Sequence, residues 1–200
     1  MQDLMAAGNA PGAFCSRGRY TYSDYLKLED GNRYEVIEGE LVVTPSPGFK
    51  HQKITAAIEK ALTEFVEQNN LGTVIVAPFD VVLAEDIVLQ PDVLFISRER
   101  YHLLTDACFK GSPDLVVEVI SPSSSSRDRI KKSPLYRYYG VQELWLVDAE
   151  ARTAEVLTSK EDGWYQFGAY DEEDVLTSSL LPGLQISLKE IFALPEEISL

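Results

Sequence analysis

Two acidic residues stand where the surrounding sequence is built for a hydrophobic core. Glu118 lies inside the run VVEVI, and a carboxylate carried into such a run is costly unless it finds a partner there. Asp92 follows Pro91 at the head of DVLFI. A strand that begins at a carboxylate can hold that group at a sheet edge or in a cleft. If the two strands are neighbours, Asp92 and Glu118 converge on one hard cation, and oxygen donors favour magnesium, manganese or calcium. Each acid taken singly reads equally well as an ion-paired residue at a strand end.

A cation is within reach of these acids. Asp128, Lys132, Tyr136 and Gly140 recur at intervals of four, which puts the first three side chains on one stripe of a helix. A lysine beside a bound metal can orient water and stabilise negative charge at phosphorus. Spacing alone favours the plainer reading, a solvent-facing Lys132 paired with Asp128, and the adjacent Lys131 competes for the role. Pro134 predicts either a kink or a fresh helix start capped by Ser133. Glu35, in YEVIEGE, reads as a further carboxylate near the metal or as the charged face of an edge strand. His51 opens a helix after a Pro-Gly break, as a phosphate contact, an acid–base group or a packing residue. Tyr136 reads as a hydrogen-bond donor near the site or as core packing.

The elements that must position these groups follow from periodicity. Thr21–Leu28 is expected to be a short helix capped by Thr21 with Asp24, and Arg33–Ile37 with Glu40–Thr44 a hairpin turning at Glu38-Gly39. Residues 50–69 place Ile54, Ala57, Ile58, Ala61, Leu62, Phe65 and Val66 on one helical face. Thr73–Leu83 reads as one long or bent strand, with Pro78 at an edge or bulge. Strand pieces follow at Ile87–Leu89 and Asp92–Ile96, a short helix at Ser97–Leu104, and a buried strand at Pro113–Ile120. A serine run at 123–126 is expected to cap a helix over Asp128–Gly140. A buried strand at Val141–Asp148 then makes a parallel crossover. Thr153–Thr158 and Trp164–Ala169 form a hairpin, and Ile186–Phe192 closes the chain as a short helix or turn. Residues 1–19 read as a flexible arm and 20–200 as a single domain.

Composition bounds the function. The chain of 200 residues carries 32 acidic against 18 basic side chains, a net charge of −14. Such a chain does not attract nucleic acid by its overall field, so any nucleic-acid chemistry must rest on a local site. Cys15 and Cys108 form neither a disulfide framework nor a zinc pattern, and His51 and His102 are the only histidines. No apolar run is long enough to span a bilayer and no signal peptide is evident, so a cytoplasmic protein is expected.

The ordered set YEVIEGELVV, SPGFKHQKI, QPDVLFI, DLVVEVISPSSSSRDRIKK and YRYYGVQELWLVD resembles the Uma-type family of restriction-endonuclease-like proteins of bacteria, from about Tyr20 to Phe192. That resemblance implies membership of the PD-(D/E)xK nuclease-like superfamily. It also implies an α/β mixed-sheet fold with a core of helix, three strands, helix, strand, to which an N-terminal hairpin is added. The superfamily signature falls on Pro91-Asp92 and Glu118-Val119-Ile120. Ile120 stands where the signature has lysine, and the resemblance implies a lysine displaced to Lys132.

The expected activity is therefore a magnesium- or manganese-dependent endonuclease acting on DNA. Metal would be bound by Asp92, Glu118 and the Val119 carbonyl, with Lys132 positioning the nucleophile. Glu35, His51, Asp128 and Tyr136 are secondary candidates, and a homodimer is plausible. Two other readings stay open: a non-catalytic binding or assembly protein on the same scaffold, and an enzyme acting on a small phosphorylated ligand.

Overall fold

The computed structural model describes residues 19–121 and 126–194. The expected arm therefore lies outside the described residues except for Arg19, which donates to the Glu38 carbonyl at 3.1 Å and pairs with Asp86 at 3.2 Å. Most of the serine run lies outside them too.

Helix α1 (Tyr22–Tyr25) is shorter than expected, but its start is the expected one. The Thr21 side chain accepts from the Asp24 N–H, and Asp24 accepts from the Thr21 N–H. Strands β1 (Tyr34–Ile37) and β2 (Glu40–Val43) pair antiparallel. Glu38 and Gly39, with φ of 52° and 80°, give the two left-handed residues that a tight hairpin needs. Helix α2 (Phe49–Gln68) buries Ile54, Thr55, Ile58, Leu62 and Val66 along one face.

The expected strand Thr73–Leu83 is two strands in two different sheets. Strand β3 (Gly72–Val76) ends before Pro78, and β4 (Asp80–Ala84) begins after it. Proline has no N–H to continue a ladder, so the chain leaves one sheet there and enters the other. Strands β5 (Ile87–Leu89) and β6 (Val93–Ser97) follow the sequence reading closely. A 3-10 turn at Arg98–Leu103 leads to β7 (Cys108–Phe109), which the sequence analysis missed; two residues are too few to show a period. Strand β8 (Leu115–Ile120) is buried throughout.

Ser133 does not cap a new helix at Pro134. Arg127–Lys132 form a π-helical turn that runs on directly into α3 (Ser133–Tyr139), and Ser133 keeps helical dihedrals. Its N–H donates to the Asp128 carbonyl five residues back, so the chain enters the proline through a widened turn. Gly140, left-handed at φ 99°, ends the helix. Strand β9 (Glu143–Asp148) then runs parallel to β8, the expected crossover. Strands β10 (Thr153–Lys160) and β11 (Gly163–Tyr170) form the expected hairpin. The end is richer than expected: β12 (Val175–Thr177) pairs with β13 (Gln185–Ser187), and only Leu188–Ile191 is helical, as α4.

The six-stranded sheet has the order β11-β10-β9-β8-β6-β3, and a five-stranded sheet the order β2-β1-β5-β4-β7. Along the chain, α2, β3, β6, β8, α3 and β9 give helix, three strands, helix, strand. One face of the larger sheet packs Val93, Val117, Val119 and Trp145 against Ile54, Ile58 and Leu62 of α2. The other face packs Val116, Ile120, Leu144 and Leu146 against Ile37, Leu89 and Tyr136. The larger sheet is thus covered by α2 on one side and by α3 and the smaller sheet on the other. No helix among the described residues is long and apolar enough to cross a membrane.

Candidate active site

Strand alternation decides where Glu118 points. Val117 and Val119 face α2, while Val116 and Ile120 face α3 and the hairpin. Glu118 lies between the latter two and shares their face. The π turn brings Asp128 and Lys132 onto that face, and α3 adds Tyr136. Lys132 Nζ lies 2.9 Å from Glu35, 3.2 Å from Glu118 and 3.4 Å from Asp128, with its side chain only 7% exposed. Tyr136 donates its hydroxyl to Glu118 Oε1 at 2.5 Å. Lys132 is therefore not the solvent-facing lysine that spacing favoured. Lys131 is the exposed one, at 3.5 Å from Glu40. Spacing could not rank them, because the choice depends on the sheet that the helix crosses; the family resemblance pointed to Lys132.

Asp92 sits one residue before β6. Val93 stands opposite Val117, so Asp92 falls level with Glu118 on the adjacent antiparallel strand. Its Oδ2 accepts from the Val119 N–H at 2.8 Å and faces His51 Nε2 at 3.2 Å. His51 occupies the first turn of α2, and its Nδ1 lies 3.4 Å from the Thr55 hydroxyl.

The charges are interdependent. Burial pushes the Glu118 carboxyl well above the usual range; Lys132 opposes that shift, while Asp128, Asp92 and Glu35 reinforce it. Burial alone would push the Lys132 ammonium down, but the Glu118, Glu35 and Asp128 carboxylates more than reverse this and hold it protonated. Burial and the same carboxylates keep the Tyr136 hydroxyl protonated, as a donor.

These groups border a pocket of about 280 Å³ lined by Arg33, Glu35, Thr44, Pro45, Ser46, Pro47, Gly48, His51, Gln90, Asp92, Glu118, Val119, Ser121, Arg127, Asp128 and Lys132. All eight residues singled out from the sequence touch this pocket or, in the case of Tyr136, bond to a residue that does. Among the lining residues not singled out from the sequence, Arg33, Thr44, Gln90 and Arg127 carry polar side chains of use to a ligand. Arg33 could have been found from its place two residues before Glu35, on the same strand face. Gln90 and Thr44 lie just beyond strand ends, where no period marks them, and Arg127 opens the π turn one residue before the Asp128–Lys132 stripe. The Gln90 N–H donates to Glu35 at 2.9 Å, and its side-chain amide donates to Asp80 at 2.8 Å.

Another buried strand glutamate provides a contrast. Glu143 has both oxygens taken by donors from Trp145, Ser178, Ser179 and Leu180, and no lysine beside it. Its role is to anchor the segment that leads to β13. Glu118 differs in facing a pocket, a buried lysine and further acids.

Among the described residues, no three or more His, Cys, Asp and Glu side chains form a ready-made metal cage. The donor chemistry nevertheless suits a hard divalent ion that keeps much of its own water, as magnesium does when held by one or two carboxylates. Asp92 and Glu118 supply such carboxylates. Glu35 Oε2 and Gln90 Oε1 are buried acceptors at the same pocket with no hydrogen-bond donor among the described residues.

A profile of the Uma2 family, described as "Putative restriction endonuclease", matches residues 22–189. The chain belongs to the Uma2 family. The crystal structure of a "putative nuclease belonging to DUF820" from Anabaena variabilis ATCC 29413 superposes with a TM-score of 0.71 at 24% identity, covering 86% of this chain and 97% of that one. That likeness shows that this Uma2 chain shares the mixed α/β fold of that protein. No curated protein matches it.

Proposed function

We propose that this Uma2 chain hydrolyses phosphodiester bonds in nucleic acid, DNA in preference, at the pocket of Asp92, Glu118 and Lys132. The observation that carries the reading is a lysine buried among Glu118, Glu35 and Asp128 on the wall of a pocket that Asp92 also enters. Buried, strongly perturbed charge at a cleft marks a candidate functional site. Magnesium or manganese would be held by Asp92, Glu118 and the main-chain carbonyl of Val119, and when bound would activate water and polarise the phosphate. The chain's own residues do the rest. Lys132, held protonated, is no general base; it fixes Glu118 and puts positive charge where negative charge grows at phosphorus. Tyr136 restrains Glu118, and His51 with the Val119 N–H restrains Asp92.

A second reading is a non-catalytic scaffold, favoured by the closed ion-pair cluster around Lys132 and by the net charge of −14. Cleavage of plasmid, single-stranded DNA and RNA, with magnesium or manganese and then with chelator, separates the two. The wild type is expected to cleave only with metal. Glu118→Gln, which keeps an acceptor for the Tyr136 hydroxyl, is expected to fold, to cleave nothing and to lose divalent-ion binding by calorimetry. A wild type that neither cleaves nor binds metal makes the scaffold the better reading.

A further inference from the structure

Among the described residues, five buried side-chain polar atoms have no hydrogen-bond partner: Arg33 Nε, Glu35 Oε2, Thr44 Oγ1, Gln90 Oε1 and Arg137 Nε. The first four belong to residues that line the one pocket described above. Orphaned buried polar atoms are costly, and their gathering at one cavity indicates a ligand that completes them. They divide by kind. Glu35 and Gln90 offer acceptors beside Lys132, whereas Arg33 and Thr44 offer donors on the hairpin side.

The donors are placed together by the hairpin. Thr44 N–H donates to the Arg33 carbonyl at 2.8 Å, which continues the register in which Tyr34 faces Val43. Arg33 and Thr44 are therefore opposite neighbours on one face, the face that also carries Glu35. The guanidinium of Arg33 makes no ion pair or hydrogen bond among the described residues. Arg19, Arg100, Arg129 and Arg152 have carboxylate partners and Arg137 donates to two main-chain carbonyls, whereas Arg33, on the pocket wall, has neither. The same pocket receives the start of α2. Gly48 there provides no side-chain cap, and the first turn has no acidic residue, so its N–H groups and the positive end of a 20-residue helix remain open to an anion.

Resting on the nuclease reading, we infer that Arg33 is a substrate-positioning residue: with the Thr44 hydroxyl and the first-turn N–H groups of α2, it holds the non-bridging oxygens of one backbone phosphate beside the Asp92–Glu118 centre. This gives an acidic protein a local hold on a polyanion. Arginine suits the task because its planar fork matches phosphate oxygens in pairs.

The test measures binding of a short fluorescein-labelled DNA strand by anisotropy across a salt series, with chelator present so that no cleavage occurs, and cleavage kinetics separately with metal. Arg33→Gln is expected to weaken binding about ten- to hundredfold and to flatten the dependence of log K on log salt by about one phosphate contact. KM should rise more than kcat falls, and Arg33→Lys should recover only part of the loss. The melting temperature should hold or rise, since an unpaired guanidinium leaves the pocket; a purely structural arginine would lower it. Unchanged affinity and salt slope in Arg33→Gln overturn the inference, even if the wild type cleaves. A wild type that binds the strand through Arg33 but cleaves nothing overturns the hydrolytic reading alone. A wild type that neither binds the strand with chelator nor cleaves it with metal overturns both.

Discussion

Lys132 is the residue on which the site depends, because it is the cation shared by Glu118, Glu35 and Asp128. Replacing it by Met leaves buried carboxylates uncompensated, which is expected to cost about 3–5 kcal/mol at neutral pH in urea denaturation. Lys131→Ala, at an exposed pair with Glu40, should stay within about 0.5 kcal/mol. The pH dependence gives the comparison its sign. Lys132 has a raised pKa in the fold, so its stabilisation is complete below the ordinary 10.5 and is lost only as pH climbs above that value. The Glu118 carboxyl is also raised, so its protonated form favours the fold most below 4.5, and this contribution fades as pH rises through the folded pKa. Lys132→Met should therefore regain stability on acidification. A variant equally unstable at acid and neutral pH would show that lost packing, not unpaired charge, is the cause.

At the scale of elements, the π turn before Pro134 sets the aim of the site. Residues four apart come nearer to eclipse in a π turn than in an α-helix, and this stacks Asp128 and Lys132 on the same face beneath Glu118. Proline sustains the widened turn, since it cannot donate the α-type bond to the Ile130 carbonyl. Pro134→Ala restores that donor and lets the turn tighten. The variant is expected to be as stable as the wild type or slightly more so, yet to lose cleavage about tenfold or more, because a misplaced charged group costs far more in rate than in folding. Cleavage at the wild-type rate would show that the π turn is held by the sheet and not by the proline.

At the scale of the whole molecule, the field and the site oppose one another. A net charge of −14 repels a polyanion at long range, while the pocket sets Arg33, Arg127 and Lys132 beside the carboxylates Glu35, Asp92, Glu118 and Asp128, so any local attraction comes from its arginines and from a bound divalent ion. Salt screens the long-range part over a Debye length of about 8–10 Å but acts less on groups sheltered in a pocket. The association rate with a short DNA strand, measured by stopped-flow fluorescence, should therefore rise as salt is raised from low values. Proteins that steer nucleic acid with a basic surface show the reverse. A rate that falls from the lowest salt onward would show that an attractive surface, and not a single pocket, governs encounter.

The sequence by itself determined the elements whose signal is local. The apolar face of α2, the buried runs of β8 and β9, the hairpin turns and the Thr21 cap are fixed by periods and turn residues a few positions apart. It also pointed to Asp92 and Glu118, because a carboxylate at the head of one apolar run and inside another conflicts with its surroundings. Only the tertiary structure decided what crosses a strand boundary. It divided Thr73–Leu83 between two sheets, buried Lys132 in preference to Lys131, set His51 against Asp92, and turned Arg33 and Gln90 into one pocket with them. The physical reason is common to all four. A side chain's charge state and partner depend on which surface its element packs against, and that surface comes from residues tens of positions away.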